Sequence, residues 1–300
     1  MTATEISMHY SVRHTTSYTY SDPVSLCQNQ IHLTPRSTPH QVCAGFQLDV
    51  SPEPMLLRSR IDVFGNEVWY FSLEEPHTEL RVTSRSRVTV APHELPDPKS
   101  TVAWEEVRDQ LALADTADLR AVSQFRFESP YIQNLNEVRD YAAASFTAGR
   151  PLLDAALDLT RRIYDDFDYA PTTTTVNTPT RDVLNQRRGV CQDFAHLQIT
   201  AFRTLGLAAR YVSGYLVTAP PPDKPKLVGA DASHAWLAVY CPGYGWIDLD
   251  PTNNIVPQER HVTIGWGRDY SDVSPIKGVL TGGGQHILSV SVDVSPLAGE

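Results

Sequence analysis

The sequence lacks the features that define several classes of protein. No apolar run approaches the ~18 residues that a helix needs to cross a bilayer, so we predict no membrane span. The first residues have neither the basic start nor the apolar stretch of a secretion signal, which favours a cytoplasmic protein. Lys and Arg number 25 against 35 Asp and Glu, and this net charge of -10 gives no positive field to attract nucleic acid or anionic lipid.

Cysteine is scarce, and its four residues form no CxxC pair of the kind that binds zinc or carries out redox exchange. The sequence also contains no HExxH motif, so a zinc peptidase has little support. The three glycines at 282–284 lack the Lys-Ser/Thr pair of a phosphate-binding loop. In a reducing compartment the four thiols are expected to be free.

The composition is that of an ordinary globular protein, with 41% apolar and 20% charged residues. A chain of 300 residues is long enough for about two domains. From residue 8 to 91, apolar and polar residues mostly alternate, which is typical of an antiparallel sheet with one buried face. Prolines between residues 92 and 98 then mark a change of pattern. We predict an N-terminal antiparallel β-sandwich domain over residues 1–95 and a second domain over residues 96–300.

The second domain begins with helical periodicity over residues 103–167. A further helix begins near Cys191 and stops at Gly206, and strand-like runs come after it. These runs cover residues 209–217, 232–241, 245–249 and 287–294. Helices that precede strands in this way indicate an α+β domain.

Cys191 is a candidate nucleophile because it lies in the first turn of a predicted helix. The unpaired N–H groups and the positive end of the helix dipole stabilise a thiolate there. Arg187 and Arg188 would favour the thiolate further, whereas Asp193 would oppose it if it lay close. The alternative is that Cys191 packs as a small apolar residue at the start of a buried helix.

His234 and Asp250 are candidates for the general base and its partner. His234 lies on a predicted strand, and an imidazole can take a proton from a thiol and return it to a leaving amine. Asp250 lies at the end of the next strand, where a carboxylate would orient the imidazole. Asp248 is a rival for that role. The alternative is a hydrogen-bonded sheet histidine and two solvated carboxylates in a turn.

Four ordered motifs around these residues resemble the transglutaminase-like proteins, whose core is papain-like. The motifs are Arg-Gly-Val-Cys-Gln-Asp-Phe-Ala-His, Gly-Leu-Ala-Ala-Arg-Tyr-Val-Ser-Gly-Tyr, Ser-His-Ala-Trp and Gly-Trp-Ile-Asp-Leu-Asp-Pro-Thr-Asn. The β-rich first third resembles the N-terminal domain of the bacterial branch, and residues 267–275 resemble its C-terminal stretch. The resemblance therefore covers nearly the whole chain.

The resemblance implies a core of helices packed on an antiparallel sheet, with Cys191 as nucleophile, His234 as base and Asp250, in preference to Asp248, as the third member. No calcium-site motif like that of the animal enzymes is evident, so we predict neither a metal ion nor a cofactor. The segment 172–179, just before the nucleophile helix, is our candidate for a strand that lines the substrate site.

The implied activity is acyl transfer from a carboxamide or peptide bond of a protein or peptide substrate, through a thioester at Cys191. We favour water as the acceptor, which makes the protein a cysteine protease or amidase. Two alternatives stay open: a protein-glutamine transglutaminase with an amine as acceptor, and a binding module with a vestigial triad. The sequence predicts neither the identity of the substrate nor the oligomeric state.

Overall fold

A computed structural model describes residues 7–171, 174–218 and 233–297 of the chain. In chain order, the strands are β1 (Met8–Ile31), β2 (Gln41–Ser51), β3 (Leu56–Ile61), β4 (Glu67–Leu73), β5 (His77–Val90), β6 (Asp168–Tyr169), β7 (Arg188–Gly189), β8 (Ala209–Leu216), β9 (Ser233–Cys241), β10 (Gly245–Leu249), β11 (His261–Gly267), β12 (Ile276–Gly282) and β13 (His286–Pro296). The helices are α1 (Trp104–Leu113), α2 (Ala117–Ser123), α3 (Asn136–Ala143), α4 (Leu152–Asp166), α5 (Thr180–Gln186), α6 (Cys191–Thr204) and α7 (Tyr270–Val273). Within these ranges, no helix combines the length and the apolar character that a membrane crossing requires.

The N-terminal sheet is organised around the 24-residue strand β1. The first part of β1 pairs with β5 and β13, and its last part pairs with β4 and β12. Strand β2 pairs with β5 and strand β3 pairs with β4, so these two strands are at the ends of the strand order β2-β5-β1-β4-β3. Apolar side chains from both parts, including Ile31, Phe71 and Leu80, form one buried cluster. The alternating pattern of residues 8–91 thus produces the predicted antiparallel β-domain, whose strands join one seven-stranded sheet with a buried core.

Strands β12 and β13 belong to this N-terminal sheet, because both pair with β1 in an antiparallel manner. The sequence analysis placed residues 287–294 among the strands of the second domain and did not identify β12. That assignment of the last strand is wrong. The physical reason is that alternation along a strand reports which face is buried, but not which distant strand supplies its backbone hydrogen bonds.

The second sheet has the strand order β10-β9-β8-β11. Helix α6 packs on one of its faces, within a buried cluster that also contains α1, α3 and α4. The same sheet also meets the N-terminal sheet, where Tyr215 and Val262 pack against Val88 and Val292. The predicted α+β class, with helices packed on an antiparallel sheet, is confirmed. This sheet carries the candidate site.

Candidate active site

Helix α6 begins at Cys191, and the local sequence determines where it starts. Val190 is extended, and its N–H donates to the Asp193 carboxylate over 2.9 Å, while the first helical bond runs from Phe194 N to Val190 O. A Cβ atom on Gly189 would lie 2.9 Å from the Asp193 side chain. Only glycine at that position therefore leaves room for Asp193 to fold back and cap the helix.

Cys191 lies partly exposed in the first turn of α6, where backbone N–H groups have no partner within the helix. Asp193 turns back toward Val190, and burial raises the pKa of its carboxyl, although bonds from Val190 and Thr174 partly offset this effect. The guanidinium of Arg187 lies over the rings of Tyr141 and Phe167.

His234 connects the other two candidates. It is the second residue of β9, its side chain is 9% exposed, and the nearby Cys191 thiol is one of the groups that raise the pKa of its imidazole. Its Nε2 lies 2.8 Å from Oδ2 of Asp250, which leaves Nδ1 as the nitrogen for the thiol. Burial alone would lower the pKa of His234, but the interactions with Asp250 and Cys191 outweigh burial and raise it above its usual value.

Asp250 follows β10 directly and is completely buried. Its Oδ1 accepts from the backbone N–H groups of Thr252 and Asn253, at 3.0 and 3.3 Å, so the turn after the strand holds the carboxylate. Burial would raise the pKa of Asp250, but the hydrogen bonds from His234 and its other partners lower it far below its usual range. Asp248, the rival in the sequence, accepts instead from Trp236 Nε1 over 3.0 Å.

Two further residues reach Oδ2 of Asp250, and the sequence analysis identified neither. Asn253 donates from Nδ2 over 2.7 Å, and Nε2 of His261 lies at 3.1 Å. Asn253 ends the Asp-Pro-Thr-Asn motif, which is a recognisable turn signal. His261 is the first residue of β11 and no local pattern in the sequence points to it.

His234, Asp250 and His261 are also the kind of ligands that bind a metal ion, since their ligand atoms all lie within 4.8 Å of one another. The two N–O distances of 2.8 and 3.1 Å are those of hydrogen bonds, whereas two atoms that each bind a tetrahedral zinc ion at its usual bond length lie roughly 3.4 Å from each other. Both nitrogens also approach the same oxygen, which already accepts from Asn253. The cluster fits a hydrogen-bonded network better than a metal centre.

A cavity of about 530 Å³ lies where the second sheet meets the N-terminal domain. His261 and Asp248 line it, but Cys191 and His234 do not. The guanidinium of Arg210 lies between the rings of Trp246 and Trp266, 4.5 and 3.7 Å from their centroids. This cavity, with Trp246 and Trp266 in its wall, thus borders His261 and Asp248 and not the thiol.

Residues 174–179 form a turn, in which Thr178 N donates to Thr175 O over 2.9 Å, and not the predicted strand; although α5 separates them from α6 in the chain, they contact the beginning of α6. Gln192 Nε2 donates to the carbonyl of Val176 over 3.0 Å, and Tyr131 OH donates to Asn177 Oδ1 over 3.1 Å. Residues 172 and 173 of the proposed substrate-lining strand are outside the described residues. The described part of the segment, residues 174–179, lies beside the residue that follows Cys191.

Comparisons with known proteins cover both parts of the chain. Residues 10–89 match the model of the bacterial transglutaminase-like N-terminal region, and residues 139–251, which include all three candidate residues, match that of the transglutaminase-like superfamily. An uncharacterized protein from Mycobacterium tuberculosis is 41% identical over 307 residues, which cover 97% of this chain and 94% of that protein. A protein-glutamine gamma-glutamyltransferase from Pseudomonas aeruginosa is 31% identical over 77 residues, or 25% of this chain and 12% of that protein.

The crystal structure of a proposed cysteine protease from Cytophaga hutchinsonii is similar in fold, with a TM-score of 0.76. The match covers 98% of this chain and 92% of that chain at 23% sequence identity. The two family models together cover most of β1–β5 and all of α6, β8, β9 and β10. The chain belongs to the bacterial transglutaminase-like proteins, a branch of the transglutaminase-like superfamily, and has the fold of their cysteine-dependent acyl-transfer core.

Proposed function

We propose that the protein is a cysteine-dependent acyl-transfer enzyme that hydrolyses carboxamide or peptide bonds through a triad of Cys191, His234 and Asp250. The observation that supports it best is the position of His234, which bonds a fully buried carboxylate through Nε2 and has the Cys191 thiol close enough to raise the pKa of its imidazole. A nucleophile, a base and a group that orients the base are the three parts that such chemistry requires.

In the first half of the reaction, the Cys191 thiolate attacks the carbonyl carbon and forms a C–S bond. The negative charge that develops on the carbonyl oxygen is stabilised by backbone N–H groups at the start of α6, of which the N–H of Cys191 is the nearest to the sulfur. His234, held as imidazolium by Asp250, gives its proton to the nitrogen as the C–N bond breaks. Ammonia or an amine departs and a thioester is left on Cys191.

In the second half, neutral His234 takes a proton from water, whose oxygen attacks the thioester carbon. The C–S bond breaks, a carboxylic acid is released and the thiolate–imidazolium pair is restored. We place this activity in the cytoplasm, where thiols stay free.

An amine as acceptor would make the protein a transglutaminase, and the partial match to a protein-glutamine gamma-glutamyltransferase favours testing this. Glutamine-containing proteins are incubated with the enzyme and a labelled primary amine. Ammonia release without incorporation of the label supports hydrolysis. Robust incorporation, lost in Cys191→Ala, identifies a transglutaminase.

The triad itself is tested without knowledge of the substrate. The folded protein is alkylated with a limiting amount of iodoacetamide from pH 5 to pH 9, and each cysteine is mapped by mass spectrometry. We expect rapid modification of Cys191 below pH 7 and loss of this low-pH reactivity in His234→Ala. A Cys191 that reacts like an ordinary thiol in both proteins would contradict the proposal and favour a binding module.

A further inference from the structure

The carboxylate of Asp250 has a second imidazole partner that the proposed mechanism does not use. Nε2 of His261 lies 3.1 Å from Oδ2, the same oxygen that binds His234. A carboxylate only accepts hydrogen bonds, so His261 is the donor and carries its proton on Nε2. The side chain of His261 is 2% exposed, and water therefore does not compete for this bond.

The ring of His261 is itself held in place. The backbone N–H of His261 donates to Gln258 O over 3.0 Å. His261 is the first residue of β11 and pairs with Leu216 of β8. The indole of Trp236 packs against the imidazole edge to face, with centroids 5.1 Å apart. A donor fixed by a strand and an aromatic ring can hold a carboxylate more firmly than a flexible side chain on the surface.

We infer that His261 is a positioning residue, which locks the Asp250 carboxylate in the orientation that aligns His234 with Cys191. The backbone N–H groups of Thr252 and Asn253 hold Oδ1 from the turn. His261 holds Oδ2 from a different strand, β11, so the carboxylate cannot rotate about its Cβ–Cγ bond without losing bonds at both oxygens. This inference rests on the proposed function, because it assigns His261 a role in the same triad.

The charged and titratable groups around His261 come from several elements. Asp250 and the His234 ring, 5.9 Å away, lie toward the triad. On the side of the cavity are Asp248, whose carboxyl interacts with both His261 and His93, and the guanidinium of Arg210. A pH profile of His261 variants therefore has to be read against these neighbours.

The test compares His261→Phe with His261→Gln. Phenylalanine keeps the ring that packs on Trp236 but removes the donor, whereas glutamine keeps an N–H donor. His14→Phe is the matched control, since His14 is also a buried, hydrogen-bonded histidine, bound to Tyr215 and Thr16 in the N-terminal sheet. Each variant is alkylated with limiting iodoacetamide from pH 5 to pH 9, and its melting temperature is measured in parallel.

We expect His261→Phe to slow alkylation of Cys191 near pH 6 about tenfold, the effect of one lost hydrogen bond, and to move the low-pH limb of the rate profile to higher pH. His261→Gln should recover most of the rate, and His14→Phe should react like the native protein. If Cys191 of the native protein reacts rapidly at low pH and His261→Phe shows the same pH–rate profile, this inference is wrong, whereas the proposed function is not affected.

Two other outcomes also decide the matter. If the alkylation rate of Cys191 falls in all three variants in proportion to the decrease in their melting temperatures, His261 is only a packing residue and the inference is wrong. If native Cys191 is no more reactive than Cys191 in His234→Ala, both the proposed function and this inference are wrong.

Discussion

His234 lies on β9, and Asp250 directly follows the neighbouring strand β10. Nε2 of the imidazole and Oδ2 of the carboxylate are 2.8 Å apart, and the two side chains are 9% and 0% exposed. Asp248 is only two residues away in the sequence, yet it faces Trp236 and the cavity. The two carboxylates therefore have different partners: Asp250 bonds the imidazole of His234, and Asp248 bonds the indole of Trp236.

Asp250→Asn should reduce alkylation of Cys191 at pH 6 by about 100-fold, since an amide cannot stabilise the imidazolium and a charge-assisted hydrogen bond is lost. Asp248→Asn is the control, and it should keep nearly the native rate. The rates are measured with limiting iodoacetamide and peptide mapping. Equal losses in the two variants would mean that the assignment of Asp250 is wrong.

The other three cysteines should react slowly in the folded protein. Burial raises the pKa of Cys241 to about 11, and it also raises the pKa values of Cys27 and Cys43. At pH 7 these residues contain little thiolate, which is the reactive form. Alkylation of the native protein should label Cys191 first, and the remaining cysteines should be labelled after unfolding in urea. Prior labelling of Cys241 in the native state would contradict this prediction.

Gly189→Ala should disturb the start of α6. The new methyl group would lie 2.9 Å from the Asp193 side chain and 3.2 Å from the Phe194 ring. We expect a loss of about 1–3 kcal/mol in the free energy of unfolding, as for other overpacked sites, together with slower alkylation of Cys191. Urea denaturation and the alkylation assay measure the two effects. Gly45→Ala offers a comparison, because no atom lies within 4 Å of the position its Cβ would occupy and its φ is not in the left-handed region.

The stability of the protein should fall in mild acid because of His14. Burial lowers the pKa of His14 to about 4, so the unfolded chain, with a histidine pKa near ~6.5, binds a proton first as the pH falls. The stabilising contribution is complete above pH ~6.5 and is lost as the pH falls toward 4, at about 1.4 kcal/mol per pH unit.

His14→Gln removes this titrating group and keeps polar atoms for Tyr215 and Thr16. The free energy of unfolding of the variant should depend less on pH between 6.5 and 4 than that of the native protein. Urea denaturation at several pH values measures both slopes. Identical slopes would show that His14 does not titrate in this window.

The sequence predicted the elements whose patterns are local. The helices over residues 103–167 follow from periodicity, and the structure contains them. The candidates Cys191, His234 and Asp250 were found because each lies in a motif at the end or start of an element. These parts of the fold and site depend on neighbours within a few residues.

The missed parts depend on distant partners or irregular strands. Strand β11 was not recognised because its pairing with β8 shifts between Thr263 and Gly265, and such a bulge breaks the alternation that identifies a strand. His261 was missed with it. The placement of β12 and β13 beside β1 depends on backbone pairing between residues nearly a chain length apart, which no local pattern encodes.

The return of β12 and β13 to β1 has a consequence for biosynthesis. The ribosome releases β1 first, but two of its pairing partners are made only after the helices and the second sheet. At roughly 5–20 residues per second, one edge of β1 stays open for on the order of ten seconds or more. The β8–β11 sheet can assemble in that interval, and the N-terminal sheet is completed only after β12 and β13 have been synthesised.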